Sequence, residues 1–425
     1  MARQHRGAAP LPRRKVLAMA AALPLTGLPF TGLPAWAGTA ADPWGAAQGY
    51  PTGWGPPGQP SRWEAYTEYR VGNFSGGFES MFRHNRIEPA VQPSVLRPAP
   101  RTLSYEWRGR RRVVEDFLAD SPVCGLLVAR KGQIWSEHYR YDRQPWMRFQ
   151  SWSMAKSVTS LLFGIALDQG LVRSIDDTPE QYVPDLRGTL HGRIPMRHLL
   201  NMVSGVEVQH ERDPVRIDVP AILGWPPLRA QGTDLEKVVR EWTGVREPPG
   251  TRFNYNELCP LTIGMVLRAV SGKSLAEFAA DSLWSAIGAE SPASWLTDSL
   301  GREYNCVGFA ATLRDWARLA QMIAQSGRVM DRPVVSAAWL DECSRHGPAD
   351  HASSFGVMRP DMGYRNFFWL PRVDGHWLMM NGAHGQRLLA DRRSETVLVQ
   401  TSVSQEGRSQ EELMALFAAA TRLPD

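Results

Sequence analysis

Strand patterns occur at the two ends of this chain, and helical patterns fill the middle. Apolar or alternating runs over 123–130 and 133–139, joined by Lys131-Gly132, predict an antiparallel hairpin. Beyond Tyr364 the sequence returns to short β runs, the last of them over 395–401. The economical arrangement is one antiparallel sheet assembled from both ends and covered by helices, an α/β (α+β) fold with a cleft beside a helical domain.

Spacing and capping residues define the predicted helices. After Trp152 the apolar side chains recur at i, i+3, i+4 and i+7, and Gly170 closes the segment, which predicts a helix from about Ser153. Further predicted helices cover 261–270, follow the capping pair Ser274 and Glu277, run from Thr312 to Gln325, and begin at a cap formed by Ser409 and Glu412.

The first 37 residues have the pattern of an export signal. Arg13-Arg14-Lys15 precedes an apolar stretch over 16–30, and Ala35 and Ala37 follow at a cleavage spacing. The arginine pair resembles a twin-arginine signal, so we expect a periplasmic or secreted protein, with an uncut membrane anchor as the alternative. The remaining 43 basic residues equal the 43 acidic ones, which gives no reason to expect a nucleic-acid or anionic membrane partner.

Cysteine and histidine spacings argue against a metal centre and against a disulfide framework. The four cysteines are widely separated with no C-x-x-C, and the ten histidines form neither H-x-H nor H-E-x-x-H. We therefore predict buried thiols, no metal and no cofactor. The cysteines are Cys124, Cys259, Cys306 and Cys343.

Lysine is rare in this chain, which makes Lys156 a candidate functional residue. Only five lysines occur against 43 arginines. Arginine stays protonated in proteins, whereas a desolvated lysine can lose its proton and act as a base. Lys156 follows Ser153 by three residues, and i and i+3 side chains share a helix face, so the amine would reach the hydroxyl at the helix start. The pair predicts an activated serine nucleophile.

A solvated lysine and an N-cap serine explain the same spacing, because S-x-x-K is short enough to arise by chance. The wider phrase over 153–158, SMAKSV, resembles the nucleophile helix of the penicillin-recognising serine hydrolases. That superfamily includes serine β-lactamases, D-alanyl-D-alanine peptidases, β-lactamase-like esterases and 6-aminohexanoate-dimer hydrolases. The resemblance implies a β-lactamase/transpeptidase-like antiparallel sheet flanked by helices, with an inserted helical domain.

A second motif of that superfamily is found further along the chain. The segment from Pro249 to Glu257 matches its P-G-x-x-F-x-Y framework, with Tyr255 at the tyrosine of Y-x-N and Glu257 where the family has asparagine. A phenol beside an ammonium can relay a proton from the serine to the leaving group, so Tyr255 is predicted to share the acid/base role with Lys156. A core tyrosine is the alternative.

The third motif departs further from the family pattern. In 382–386, GAHGQ, Ala383 occupies the position of the cation in K-T-G or H-T-G and His384 that of the threonine. The resemblance implies an oxyanion hole formed by the backbone N–H groups of Ser153 and Gln386, since an acyl-transfer intermediate needs two donors. His384 is expected either to contact substrate or to be a partly buried structural residue. The candidate substrate contacts are His384, Gly385, Glu257 and Trp152.

The resemblance covers roughly 101–405. Segments 199–205 and 308–316 also resemble the family's L-L-x-x-x-S-G and S-T-x-x-D-x-A stretches. Together with the strand and helix patterns, this predicts a Gly/Pro-rich extension over 38–105, a sheet domain from 106–170 plus 349–425, and a helical domain over 171–348.

The phrases over 150–157 and 384–386 are closest to the 6-aminohexanoate-dimer hydrolase branch, which opens amide and ester bonds. We therefore expect an exported serine hydrolase that acts on a small-molecule or short oligomeric amide or ester through an acyl-enzyme on Ser153. A β-lactamase or D-alanyl-D-alanine peptidase is the first alternative, and a catalytically inactive binding homologue is the second. An apolar acyl pocket is expected from Trp152, Trp225, Phe368 and Trp369.

Overall fold

The computed structural model describes residues 83–141, 143–208, 234–345, 363–371, 374–402, 404 and 410–424. The predicted export signal over 1–37, the extension up to residue 82, Trp225 and the capping residue Ser409 lie outside the described residues. Within the described part, no helix is both long enough and apolar enough to cross a membrane.

An eight-stranded sheet forms the centre of the fold. Its neighbouring strands are antiparallel, except that Arg97–Pro98 runs parallel to the start of Gln133–Tyr139. Thr396–Ser402 pairs with Val123–Arg130, which joins the two ends of the chain and confirms the predicted single sheet. In spatial order the strands are Gly363–Arg365, Phe368–Leu370, Trp377–Gly382, Gln386–Asp391, Thr396–Ser402, Val123–Arg130, Gln133–Tyr139 and Arg97–Pro98.

Helices pack on this sheet and bury its central strands. Every residue of Val123–Arg130 and of Thr396–Ser402 is buried, as expected for strands between two layers. The helix Leu313–Ala324 packs along both of these strands, and the helix Met154–Asp168 packs against Trp377–Gly382. The predicted hairpin, the Ser274–Glu277 capping box and the Thr312 cap are confirmed.

The α-helices begin and end as follows: Val114–Ala119, Met154–Asp168, Met196–Leu200, Leu235–Glu241, Leu258–Ser271, Leu275–Ala279, Leu313–Ala324, Ala337–Ser344 and Gln410–Arg422. Short 3₁₀ turns span Pro179–Gln181, Pro184–Leu186, His191–Arg193 and Ala383–Gly385, and a π-helical turn spans Ala280–Trp284.

A second, four-stranded sheet was not predicted from the sequence. It consists of His84–Ile87, Ala293–Leu296, Phe309–Thr312 and Arg148–Gln150, in that order. Its inner strands are buried throughout, so they lack the alternation that signals a half-exposed strand. This sheet matters for function because Arg148–Gln150 leads directly into the turn that carries Ser153. Two small hairpins complete the described strands: Ser104–Trp107 with Arg110–Val113, and Arg328–Val329 with Arg332–Pro333.

Candidate active site

A tight turn presents Ser153 at the start of a buried helix. The Ser151 N–H donates to the Phe309 carbonyl at 2.7 Å, which ties the turn to the four-stranded sheet. Trp152 adopts a positive φ of 47°, and Ser153 returns to helical angles immediately before Met154–Asp168. A positive φ is costly for a tryptophan, so the surrounding contacts must hold this turn in place. Ser153 is half-buried.

Lys156 points back to that hydroxyl from inside the protein. Its side chain is 1% exposed, and its Nζ donates to Ser153 Oγ at 3.1 Å and to the Cys306 carbonyl at 2.9 Å. Glu257 Oε2 lies 2.6 Å from the same nitrogen. Ser153 makes no side-chain capping bond. A solvated lysine beside an N-cap serine is therefore excluded, and the predicted Ser153–Lys156 contact is present.

The protonation of Lys156 differs from the expectation based on burial alone. Burial is the largest single influence and lowers the pKa of Lys156, but the charge and hydrogen bond of Glu257, together with Tyr255 and Cys306, outweigh it, and the pKa of Lys156 is raised above its ordinary value. The expectation of a lysine that is neutral because it is desolvated is wrong for the resting site. The resting lysine is an ammonium paired with a carboxylate.

Tyr255 lies beside this ammonium. Lys156 Nζ is 4.9 Å from the centre of the Tyr255 ring, close enough for a cation–π contact. Desolvation raises the pKa of Tyr255, while the Lys156 charge and hydrogen bonds with Ser153 and Lys156 act in the opposite direction. The phenol is therefore neutral in the resting site and placed to exchange protons with both groups. The structure brings the three predicted catalytic residues together.

Two segments singled out in the sequence hold Tyr255 in place by pairing with each other. The Asn254 N–H donates to the Met202 carbonyl at 2.7 Å, and the Gly250 N–H donates to the Val203 carbonyl at 2.7 Å. The Asn254 side chain also donates to the carbonyls of Val206 and Val208. The P-G-x-x-F-x-Y framework and the L-L-x-x-x-S-G stretch are thus one hydrogen-bonded unit that positions the phenol.

The third motif forms a firmly held turn, Ala383–Gly385, between two strands of the large sheet. Arg387 Nη1 donates to the carbonyls of Gly382 and Gln386, both at 2.7 Å. The Gln386 side chain donates to the Ala383 carbonyl at 3.1 Å and the Gln400 side chain to the Gly385 carbonyl at 2.8 Å. A Cβ added at Gly382 would lie 2.2 Å from the Ser151 carbonyl, so a glycine lets this turn approach the serine turn.

The predicted second oxyanion donor is engaged within this turn. The Gln386 backbone N–H donates to the Ala383 carbonyl and closes the 3₁₀ turn. Its assignment to the oxyanion hole stays a prediction, and it requires this N–H to be shared with the substrate or released to it.

His384 packs directly against Trp152. Their ring centres are 4.7 Å apart in an edge-to-face arrangement, and His384 has a positive φ of 61°. Burial lowers the pKa of His384 well below its ordinary value, so this imidazole is neutral at pH 7. Ala383 carries no charge. The turn Ala383–Gly385 therefore presents no cation, although His384 remains able to form hydrogen bonds.

Aromatic side chains adjoin Tyr255 on the side of the large sheet. The Tyr255 ring centre is 5.9 Å from those of Tyr364 and Trp369, and Phe253 completes the group. Phe368, one of the predicted pocket residues, has no exposed surface and belongs to the core. Trp152 and Trp369 remain candidates for contact with an apolar acyl group.

The cysteine prediction is confirmed, since all four cysteines are buried and none forms a disulfide. Among the residues that the structure describes, no three His, Cys, Asp or Glu side chains lie close enough to hold a metal ion. Two contacts of Lys156, with the Glu257 carboxylate and the Cys306 carbonyl, were missed by sequence reasoning. The sequence did mark Glu257 as unusual, because it replaces the asparagine of a motif expected to lie near Lys156. Only the fold shows that its carboxylate pairs with Lys156.

A buried lysine bonded to a serine at a helix start, beside an antiparallel sheet, is the arrangement that the sequence predicted for a serine hydrolase. The Beta-lactamase family model matches residues 110–421, and the chain belongs to this family, which confirms the resemblance found in the sequence. A curated relative, the 6-aminohexanoate-dimer hydrolase of Paenarthrobacter ureafaciens, is 24% identical over 295 residues, 68% of this chain and 74% of the relative.

Solved structures show the same fold. A Bacillus anthracis protein, titled as a candidate 6-aminohexanoate-dimer hydrolase, superposes with a TM-score of 0.73 at 20% identity, covering 85% of this chain and 97% of its own. The octameric penicillin-binding protein homologue of Pyrococcus abyssi superposes with a TM-score of 0.54 at 18% identity, covering 72% and 75%.

Proposed function

We propose that the protein is an exported hydrolase that opens amide or ester bonds through an acyl-enzyme on Ser153. The partly buried 3.1 Å contact between the Lys156 amine and the Ser153 hydroxyl carries this proposal. A serine that shares a hydrogen-bonded site with an amine and a phenol has the partners that nucleophilic attack requires. An inactive binding homologue is disfavoured because all three groups are present and in contact.

The proposed reaction has two halves. In the first, Lys156 acts in its uncharged amine form: Ser153 Oγ bonds to the substrate carbonyl carbon while its proton passes to this amine, and Tyr255 carries a proton to the leaving nitrogen or oxygen. In the second, water attacks the acyl group, and its proton returns to Ser153 Oγ as the acid leaves. The half-buried position of Ser153 admits the carbonyl, and the buried Lys156 keeps the proton path away from bulk water.

The proposed substrate is a small or short oligomeric amide or ester with an apolar acyl portion. The P. ureafaciens relative is named for the 6-aminohexanoate dimer, a linear amide, and the half-buried rings of Trp152 and Tyr255 lie next to Ser153. Ala383 and neutral His384 leave the turn without a cation for a substrate carboxylate. We therefore expect linear amides and esters to be turned over faster than β-lactams.

Export is proposed from the N-terminal sequence alone. If the twin-arginine-like signal operates, the mature protein should begin after Ala37 and should accumulate outside the cytoplasm of a bacterial host. N-terminal sequencing of the fractionated protein tests this. A chain recovered from the cytoplasm with residues 1–37 intact would contradict it.

A substrate panel with matched serine variants tests the proposed function. The panel holds p-nitrophenyl esters, the linear 6-aminohexanoate dimer, nitrocefin and muropeptides. Ser153→Ala should lose turnover by at least about 10³-fold. Ser157→Ala, one turn further on the same helix, loses only a bond to the Phe367 carbonyl and should remain active. Unchanged turnover in Ser153→Ala would refute the proposal, and a preference for nitrocefin would favour the β-lactamase alternative.

A further inference from the structure

Glu257 replaces the asparagine expected by the family pattern, and its carboxylate faces Lys156. The two side chains meet at 2.6 Å, and Glu257 is 4% exposed. Although Glu257 is the residue before the helix Leu258–Ser271, it makes no side-chain capping bond. Asn256 supplies that contact, since its Oδ1 accepts from the Cys259 N–H at 3.1 Å. The carboxylate is therefore placed for the lysine and not for the end of the helix.

The ionisable groups around the Lys156–Glu257 pair are phenols and thiols, so the pair itself is the charged group that can exchange a proton. The ionisable groups that face it are Tyr255, Cys306 and Tyr364, with Cys259 acting on Tyr364. A phenol or a thiol is uncharged at neutral pH. An ion pair taken out of water loses much of its hydration, so its uncharged form lies closer in free energy than it would in solution. The 2.6 Å contact gives the proton a direct path from the ammonium to the carboxylate.

We propose that Glu257 takes the proton that Lys156 must release before it can act as a base, an inference that rests on the proposed function. The proton moves from Lys156 Nζ to Glu257 Oε2, which converts ammonium and carboxylate into amine and carboxylic acid. Ser153 Oγ–H then gives its proton to the amine as Oγ bonds to the carbonyl carbon. Lys156 is again an ammonium, and it passes this proton through Tyr255 to the leaving group. The proton on Glu257 then returns to Lys156, and the pair regains its resting state.

This role makes a specific prediction for the pH profile. In the wild type, Lys156 and Glu257 share one exchangeable proton in the active state, and the pair is inactivated at low pH only when it takes up a second proton. In Glu257→Gln, Lys156 must instead lose its proton to solvent before each attack. The low-pH midpoint of kcat/KM should therefore rise by about one to three pH units. Activity at pH 6 should fall at least tenfold while activity at the high-pH plateau changes by a few fold.

Rates of Ser153 labelling by a fluorophosphonate, measured from pH 5 to 10 together with ester turnover, provide the test. Glu257→Asp keeps a carboxylate and should retain most of the low midpoint. Glu412→Gln is the matched control, because Glu412 is also buried but bonds Tyr105 and Arg112 instead of the site. It should leave the midpoint unmoved.

The possible results distinguish the proton-holding role of Glu257 from the proposal that Ser153 is the nucleophile. A raised midpoint in Glu257→Gln, restored in Glu257→Asp, supports the proton-holding role. A uniform loss with an unmoved midpoint, or a gain of activity at pH 6, overturns it while the Ser153 proposal stands. A wild-type protein that is labelled at no pH overturns both.

Discussion

Replacing Lys156 by methionine should separate the contribution of its ammonium to stability from its contribution to catalysis. Methionine keeps an unbranched apolar stem of similar length but removes the charge. The Glu257 carboxylate, 4% exposed, then stays buried without the cation that lies 2.6 Å away. Breaking a buried ion pair by removing one partner costs about 3–5 kcal/mol. We expect a loss of this size in the free energy of unfolding at pH 7.

The double variant Lys156→Met/Glu257→Gln should recover most of that loss. It carries no charge in this pocket, and uncharged replacements of buried pairs are often close to neutral in stability. We expect the double variant to lie within about 1–2 kcal/mol of the wild type. The penalty in the single variant should also shrink as the pH falls, because protonation of the carboxyl removes the buried charge. Neither variant should hydrolyse esters.

Urea unfolding followed by tryptophan fluorescence, together with ester turnover, checks both parts. A single variant as stable as the wild type at pH 7 would show that Glu257 does not depend on Lys156. Ester hydrolysis by the double variant at the wild-type rate would remove Lys156 from the reaction.

Three further predictions follow from the geometry. Tyr255→Phe should lower kcat/KM by about 10²-fold or more, because the proton-carrying hydroxyl is lost. An unchanged rate would take Tyr255 out of the proton path. Gly382→Ala should lower the free energy of unfolding in urea by about 1–3 kcal/mol and slow the acylation of Ser153, because the new methyl group would lie 2.2 Å from the Ser151 carbonyl. Ala383→Ser, at an exposed position, is the control. Equal behaviour of the two variants would contradict the close approach of Gly382 to Ser151. Burial lowers the pKa of His191 from 6.5 to about 4, so the unfolded chain binds more protons than the folded protein between these pH values. The free energy of unfolding should therefore fall by about 3 kcal/mol from pH 6.5 to pH 4. His191→Phe should flatten this pH dependence of the urea midpoint, and an unchanged slope would refute the prediction.

Local patterns in the sequence predicted the elements that carry the site. The hairpin of Val123–Arg130 and Gln133–Tyr139 has the predicted bounds, because a turn signal between two apolar runs determines pairing without distant contacts. The helix after Ser153 begins within one residue of its predicted start. The i, i+3 spacing on this helix also placed Lys156 at Ser153, since the contact depends only on helix geometry.

The features that sequence reasoning missed depend on distant parts of the chain. Ala293–Leu296 pairs with His84–Ile87, two segments about 200 residues apart whose pairing no local pattern signals. The same holds for Glu257 and Lys156, which meet only because their helices pack together. Without that contact, burial alone suggested a lowered pKa for Lys156, whereas the paired carboxylate raises it. The protonation state of Lys156 therefore required the fold, whereas the prediction of Ser153 as the nucleophile did not.

The position of the acyl group during turnover tests the central claim most directly. Turnover of p-nitrophenyl butyrate is quenched in acid, the protein is digested, and the modified residue is located by mass spectrometry. We expect the butyryl group on Ser153 in the wild type and no adduct in Ser153→Ala. A butyryl group on another residue, or turnover by Ser153→Ala at the wild-type rate, would contradict the account.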